Sequence, residues 1–255
     1  MILQNQTLWL IGASSGIGAA LAPALVAQGV RLAISSRRED DLNEVADAAA
    51  LKGRRPLVKP LDVTDLEAVR KVYAELVAEW GKVDVVLYNA GTWAQAEVTD
   101  FETESAVNQV NVNFLGLIRV VGTVMPDMIA RKGGEIVGMA SVAGYAGFPR
   151  AAAYSSSKAG VNAFLQSLRI ELPRFGVGVT TINPGFVKTD LTDRNSFPMP
   201  FMITTEAAAV AIVKGLLEGE DEIHFPKRLS WPLKLYTALP RPVYERLARR
   251  FMASR

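Results

Sequence analysis

The sequence predicts an α/β protein built on a parallel sheet. Two observations carry that prediction. Short apolar runs alternate with longer stretches of helical period through most of the 255 residues, and a glycine-rich turn joins the first apolar run to the first helical stretch. In chain order, residues 8–11, 31–35, 56–59, 83–88, 135–139, 177–182 and 222–225 read as strands. Between them, residues 16–28, 39–51, 65–80, 104–131, 154–175 and 205–218 read as helices. Thr64-Asp65-Leu66-Glu67 offers a helix cap with acids in the first turn, and Gly81 and Gly176 sit where helix C-caps belong. In the long fourth helix, a break is expected near Gly116, and Pro126 should kink or shorten it.

Composition narrows the chemistry. Hydrophobic residues make up 49% and charged residues 21%, which suits one large core. Cysteine is absent and His224 is the only histidine, so disulfides, thiolate metal sites and multi-histidine metal centres are excluded. No metal site is expected. Met1-Ile2-Leu3-Gln4-Asn5-Gln6 shows no basic segment before an apolar run, and no uninterrupted apolar stretch reaches the roughly 18–20 residues of a spanning helix. A soluble, cytoplasmic protein is the expectation. From Pro226 onward eight cations face one anion, giving +7, while the other 225 residues carry −5. The basic character belongs to that tail, and no nucleic-acid groove is expected on the body.

The turn Gly12-Ala13-Ser14-Ser15-Gly16-Ile17-Gly18 lies between a strand and a helix. Glycines permit a tight turn and close backbone approach, and the free N–H groups and dipole of a helix start attract a pyrophosphate. The spacing is G-x-x-x-G-x-G, which differs from the commonest dinucleotide fingerprint. With Asn89-Ala90-Gly91, Ser141, Tyr154-x-x-x-Lys158 and Pro184-Gly185 following in order, residues 6–226 resemble the single-domain short-chain dehydrogenase/reductases. Two departures stand out: Ile11 where threonine is usual, and Tyr88 before Asn89 where a second asparagine is common.

The resemblance implies a Rossmann-like, doubly wound, seven-stranded parallel sheet with helices on both faces. It makes residues 1–226 a single dinucleotide-binding and catalytic domain and residues 227–255 an extension. At the end of the second strand an acid favours a plain ribose, whereas an Arg accepts a 2′-phosphate. The chain reads Ser35-Ser36-Arg37-Arg38-Glu39, with Ser36 in the acidic position. Unless Arg37 and Arg38 simply begin a solvated helix, they favour NADP(H); a charge-assisted Arg–phosphate bond contributes about 1.5–3 kcal/mol. By resemblance, Asp62 and Val63 should meet the adenine, and Asn89, Ala90 and Gly91 should line the ribose. Val187 and Thr189 should meet the nicotinamide end, and Pro184 and Gly185 also belong to the cofactor-binding set.

Tyr154 and Lys158 stand four apart at the start of a helical stretch and so share a face. Bringing a tyrosine from a pKa of about 10 to near 7 requires roughly 4 kcal/mol. A cation ~4 Å away supplies about that much at an effective dielectric of 20. By resemblance, Ser141 polarises a carbonyl, Tyr154 exchanges the proton, Lys158 lowers the tyrosine pKa and bonds the ribose, and Asn113 anchors a relay water. The expected reaction interconverts a carbonyl and a secondary alcohol. A dinucleotide-binding sensor or interaction protein without turnover, and an isomerase or epimerase on the same scaffold, remain alternatives.

Residues 186–205, with Phe197, Pro198, Met199, Pro200, Phe201 and Met202, resemble the family's variable substrate loop. Trp93, Tyr145 and Phe148 could join its wall. Such a lining suits a bulky apolar ketone, 3-oxoacyl or steroid-like substrate, or else core and subunit contacts. Lys188, Asp190, Asp193 and Arg194 form no evident carboxylate or phosphate clamp, and His224 reads as structural. The family's habit implies a homodimer or homotetramer through the helices beginning near Glu104 and Tyr154. Residues 242–252 place Val243, Tyr244, Leu247 and Phe251 on one helical stripe, with Arg246, Arg249 and Arg250 largely elsewhere. That helix could pack on its own domain or a neighbouring subunit, or lie on an anionic membrane.

Overall fold

A computed structural model of the chain describes residues 1–193 and 197–253. The strands are β1 (Thr7–Ile11), β2 (Arg31–Ser35), β3 (Leu57–Val58), β4 (Val85–Tyr88), β5 (Gly134–Met139), β6 (Val177–Pro184) and β7 (Glu222–Phe225). They form one seven-stranded sheet in the order β3-β2-β1-β4-β5-β6-β7, with every pairing parallel. The chain winds outward from β1 to β3, then crosses back to place β4 on the other side of β1. A crevice therefore opens at the carboxyl ends of β1 and β4, where the winding reverses.

The helices are α1 (Gly16–Val26), α2 (Glu39–Ala50), α3 (Leu66–Trp80), α4 (Thr103–Val110), α5 (Gly116–Ala130), α6 (Ala152–Glu171), α7 (Thr205–Glu218), α8 (Lys227–Thr237) and α9 (Arg241–Ala253). Side-chain alternation along β1 divides the core in two. Leu8 and Leu10 join Leu21 and Leu25 of α1, Ala46 of α2, and Ile212 and Leu216 of α7 on one face. Trp9 and Ile11 join Val69 and Leu76 of α3, Val120 and Val124 of α5, and Leu165 of α6 on the other. The doubly wound, Rossmann-like architecture expected from the resemblance is the one observed. Asp65 caps α3 by accepting from the backbone N–H groups of Glu67 and Ala68, and Gly81 ends that helix with φ +82°.

Four elements differ from expectation. β3 shrinks to two residues, bracketed by Pro56 and Pro60, which cannot donate to a ladder. The fourth helical stretch is continuous across α4, a π turn (Asn111–Leu115) and α5, so the discontinuity falls just before Gly116 and widens the helix without ending it. Pro126 does not shorten α5, because Val120, Val121, Val124 and Met128 are buried on both sides of it and hold the helix to the sheet. Finally, α8 was not expected, since Pro232 interrupts its sequence. By composition the continuous helix Thr103–Ala130 is long and apolar enough to cross a membrane, with a window mean hydropathy of 1.4. Its apolar side chains in α5 are accounted for by packing on the sheet.

Candidate active site

The glycine turn is held by main chain against main chain. Gly12, with φ +88°, donates to the Ser35 carbonyl at 2.7 Å, and a Cβ on it would stand 2.4 Å from the Ala90 nitrogen. A Cβ on Gly18 would stand 2.0 Å from the Gly12 carbonyl oxygen. Asn89 closes the turn by donating Nδ2–H to that same oxygen at 2.6 Å. Ser15 precedes α1 without a side-chain cap bond, so no side chain of this turn occupies the helix start. Gly16 lies under Thr189, whose Cγ2 would be 3.1 Å from a Cβ there, while Ile17 packs against the adjoining core. The loop after β6 thus reaches back over the turn after β1. Val187 is buried and bridged to Ile203, and Gly185 donates to the Phe225 carbonyl at 2.6 Å.

At the end of β2, Arg38 donates to Ser14 Oγ at 3.1 Å and pairs with Asp41. Ser36 accepts the Arg38 N–H at 3.3 Å. Arg37 is exposed and forms no ion pair among the described residues. Burial works to raise the Asp62 pKa. Two hydrogen bonds from Thr64 and the charges of Arg37 and Arg119 outweigh it and hold the carboxylate below its ordinary range. Val63 is buried beside the Gly116 position.

Four predicted catalytic residues come from three elements. Ser141 follows β5, Tyr154 and Lys158 lie on α6, and Asn113 lies in the π turn. The Ser141 hydroxyl faces the Tyr154 phenol, accepts the Ala143 N–H at 3.1 Å and donates weakly to the Pro184 carbonyl at 3.4 Å. Lys158 is buried and donates to the Met139 carbonyl at 2.7 Å. A Cβ on Gly91 would lie 3.4 Å from Asn113 Oδ1 and 3.6 Å from Lys158 Nζ, so the loop after β4 runs against both. Asn113 is fully buried, donating to the Thr92 carbonyl and Ser157 Oγ at 3.0 Å each and accepting the Thr92 N–H at 2.7 Å.

Burial is the largest influence on the pKa of both Tyr154 and Lys158. Burial raises Tyr154 above the ordinary tyrosine range, and the bond with Ser141 offsets that only in part. Lys158 is itself pushed down to about 8 by burial. Its Nζ is turned to Met139 and stands 5.8 Å from the Tyr154 ring centroid.

Sequence reasoning also missed supporting residues. Tyr88, noted only as a departure from the family pattern, donates its hydroxyl to the Val112 carbonyl at 2.5 Å, next to Asn113. A Cβ on Gly116 would sit 2.2 Å from that hydroxyl, so the Tyr88–Gly116 pair is matched in size. Ser157, three residues after Tyr154, braces Asn113. Of the expected substrate wall, Trp93 meets Tyr154 edge-on at 5.1 Å and Phe186 meets Phe197 at 6.1 Å. Phe201 and Met202 are exposed. Tyr145 turns away to Glu222, at 2.9 Å. Phe148 lines an open cleft of about 560 Å³ with Pro149 and, from α9, Tyr244, Ala248 and Arg249. Arg194 and the side chain of Phe251 lie outside the described residues.

The chain is similar to known proteins over most of its length. A family model described as short chain dehydrogenase matches residues 6–198. An uncharacterized oxidoreductase of Myxococcus xanthus is 38% identical over 97% of this chain and 98% of its own. An actinorhodin polyketide ketoreductase solved with NADPH covers 89% of this chain and 97% of its own, with a TM-score of 0.81 and 26% identity. A short chain dehydrogenase/reductase from Burkholderia phymatum in complex with NAD reaches a TM-score of 0.84 at 22% identity, over 92% and 94% of the two chains. With the glycine turn, Ser141 beside Tyr154 and the buried Lys158 on one fold, this chain belongs to the short-chain dehydrogenase/reductase family of oxidoreductases.

Proposed function

We propose that this protein interconverts a carbonyl and a secondary alcohol with NADP(H), acting on a bulky apolar substrate. The observation that carries the reading is the convergence of Ser141 on the Tyr154 phenol with Lys158 and Asn113 buried behind them. The residues present fit a dinucleotide. The turn at Gly12 and Gly18 leaves no room for a Cβ, and Ala90 and Gly91 edge the same crevice. Ser14, Ser15, Gly16 and Ile17 would hold the pyrophosphate, and Asp62, Val63 and Asn89 would flank the adenosine. Pro184, Gly185, Val187 and Thr189 would meet the nicotinamide end. When bound, the dinucleotide supplies or accepts the hydride.

Ser141 would donate to the carbonyl oxygen and fix its position. Tyr154 would give its phenolic proton to that oxygen in reduction and take it back in oxidation. At neutral pH a tyrosine carries its phenolic proton, as the reduction direction requires. Lys158, with its remaining N–H donors, would hold the ribose, and Asn113 would steady the relay behind it. Support for NADP(H) comes from Ser36 at the acidic position and from Arg37, exposed and unpaired beside Asp62. Arg38 is already engaged by Asp41 and Ser14. The ketoreductase solved with NADPH supports the same choice. Self-association through α4 and α6 would cover Val107 and Ile170, which are 60% and 78% exposed.

The test follows NADPH and NADH absorbance against a panel of ketones, 3-oxoacyl thioesters and steroids, with Tyr154→Phe alongside. Turnover with NADPH should exceed that with NADH. Tyr154→Phe should lose about 100- to 10,000-fold in kcat while still binding NADPH. A folded Tyr154→Phe protein with full turnover would overturn the proposal.

A further inference from the structure

The two helices after β7 are docked by their inner faces and leave outer faces that no described residue covers. On the inner side of α8, Ser230 is fully buried between His224, at 2.7 Å, and the Pro226 carbonyl, at 3.1 Å. Lys234 pairs with Glu222 at 2.7 Å. On the inner side of α9, Tyr244 packs against Tyr236 with tilted rings, centroids 4.9 Å apart, and donates to the Gly147 carbonyl at 2.6 Å. Tyr244 therefore leaves the stripe expected from sequence and faces the protein.

The outer faces mix apolar and cationic side chains. At 100° per residue, Trp231 and Leu235 share one side of α8 with Lys227 and Arg228; Leu235 is 72% exposed, and Trp231 meets His224 edge-on and Lys234 with its ring while the rest of it stays open to solvent. On α9, Val243 and Leu247 share a side with Arg246 and Arg250 and are 45% and 39% exposed. Lys227, Arg228, Arg246 and Arg250 form no ion pair among the described residues, whereas Arg241 and Arg249 are tied to Glu245. The segment from Pro226 carries +7 against −5 for the rest. Two copies meeting through this face would bring like charges together, and a water-facing helix gains nothing from exposed leucines. Apolar side chains interleaved with unpaired cations match the boundary between anionic headgroups and acyl chains.

We propose that the outer faces of α8 and α9 dock on an anionic lipid surface. Trp231, Leu235, Val243 and Leu247 enter the headgroup boundary, and Lys227, Arg228, Arg246 and Arg250 meet the lipid phosphates. This inference does not depend on the catalytic reading, since none of these residues belongs to that site.

The experiment is co-sedimentation of the full chain with phosphatidylcholine vesicles, with and without phosphatidylglycerol, beside sedimentation velocity in the absence of lipid. The intact protein should bind the anionic vesicles and release them at high salt. Arg228→Glu/Arg246→Glu/Arg250→Glu should weaken binding at least about 100-fold, and Leu235→Ser/Leu247→Ser should also weaken it, with melting and oligomeric state unchanged. If the Glu variant does not fold, the Gln version of the same three positions carries the test. Failure of the intact protein to bind overturns the proposal, as does equal binding to neutral vesicles that the charge variant leaves intact. Variants that alter the oligomeric state without altering vesicle binding would assign the face to a second copy and also overturn it.

Discussion

Around β1 and β4, in the middle of the sheet, main chain lies on main chain; at the β7 edge, side chains join the pieces. Gly12 and Gly18 leave no space for a Cβ, and Asn89 locks the turn through the Gly12 carbonyl. Around β7, Tyr145, Asn183 and Lys234 all converge on the Glu222 carboxylate, and Tyr244 reaches across to Gly147. The first construction tolerates almost no change of residue type, because a backbone atom cannot move aside. The second is a set of separable polar contacts between ordinary residues, several of them half-exposed. The difference predicts that equivalent substitutions in the two regions have very unequal effects.

The sharpest contrast is one methyl group added in each region. Gly18→Ala puts a Cβ 2.0 Å from the Gly12 oxygen and 2.7 Å from Asn89 Nδ2, so the turn must open. The expected cost is about 1–3 kcal/mol or more, with dinucleotide affinity lost in the same variant. Gly147→Ala, in the loop that Tyr244 contacts, has nothing within 4 Å of the new Cβ. It should stay within about 0.5 kcal/mol. Melting curves and NADPH titration of both variants check the pair; equal losses would mean that the two regions are not built differently.

Legibility followed the same division. The glycine turn, Asn89 and the Tyr154–Lys158 spacing could be read because few residue types satisfy a backbone approach or a shared helix face. Ser141 was found by its place after a strand. What could not be read was each buried bond between residues remote in sequence: Asn113 to Ser157, Tyr88 to Val112, Glu222 to Lys234. The helix α8 was hidden because Pro232 argues against a helix locally, while burial of Ser230 and the Glu222 pair hold it in place. Nor does sequence show that Lys158 spends its charge on the Met139 carbonyl.

An intermediate effect is expected where a side chain supports the backbone-built region. Tyr88→Phe keeps the buried ring and removes only the hydroxyl that serves the Val112 carbonyl. Leaving that acceptor without its partner should cost about 1–3 kcal/mol. Because Val112 precedes Asn113, kcat should fall several-fold with a smaller change in KM for the dinucleotide, since the lost hydroxyl bonds Val112, which is not assigned to it. An unchanged kcat in a variant destabilised by that amount would show that the π turn supports the fold without positioning Asn113.

The smallest effect belongs to the side-chain-built region, at Glu222. Burial acts to raise its pKa, but hydrogen bonds from Lys234, Tyr145 and Asn183 and the Lys234 charge outweigh it and hold the carboxylate below its ordinary 4.5. A folded pKa below the unfolded one contributes stability that is complete above the unfolded value and lost as pH falls through the folded value. The wild type should therefore hold the 227–237 helix at neutral pH and loosen it only in acid below about 4.5. Glu222→Gln keeps the shape and removes the charge. The Lys234–Glu222 pair is partly open to solvent, with side chains 26% and 32% exposed, so its loss should cost about 1 kcal/mol or less. Melting of both proteins across the acid range separates the cases. Their difference should be constant near neutrality and shrink as the wild-type carboxylate takes up its proton. A difference that persists unchanged at the acid limit would mean that packing around Ser230, and not the Glu222 network, fastens the extension.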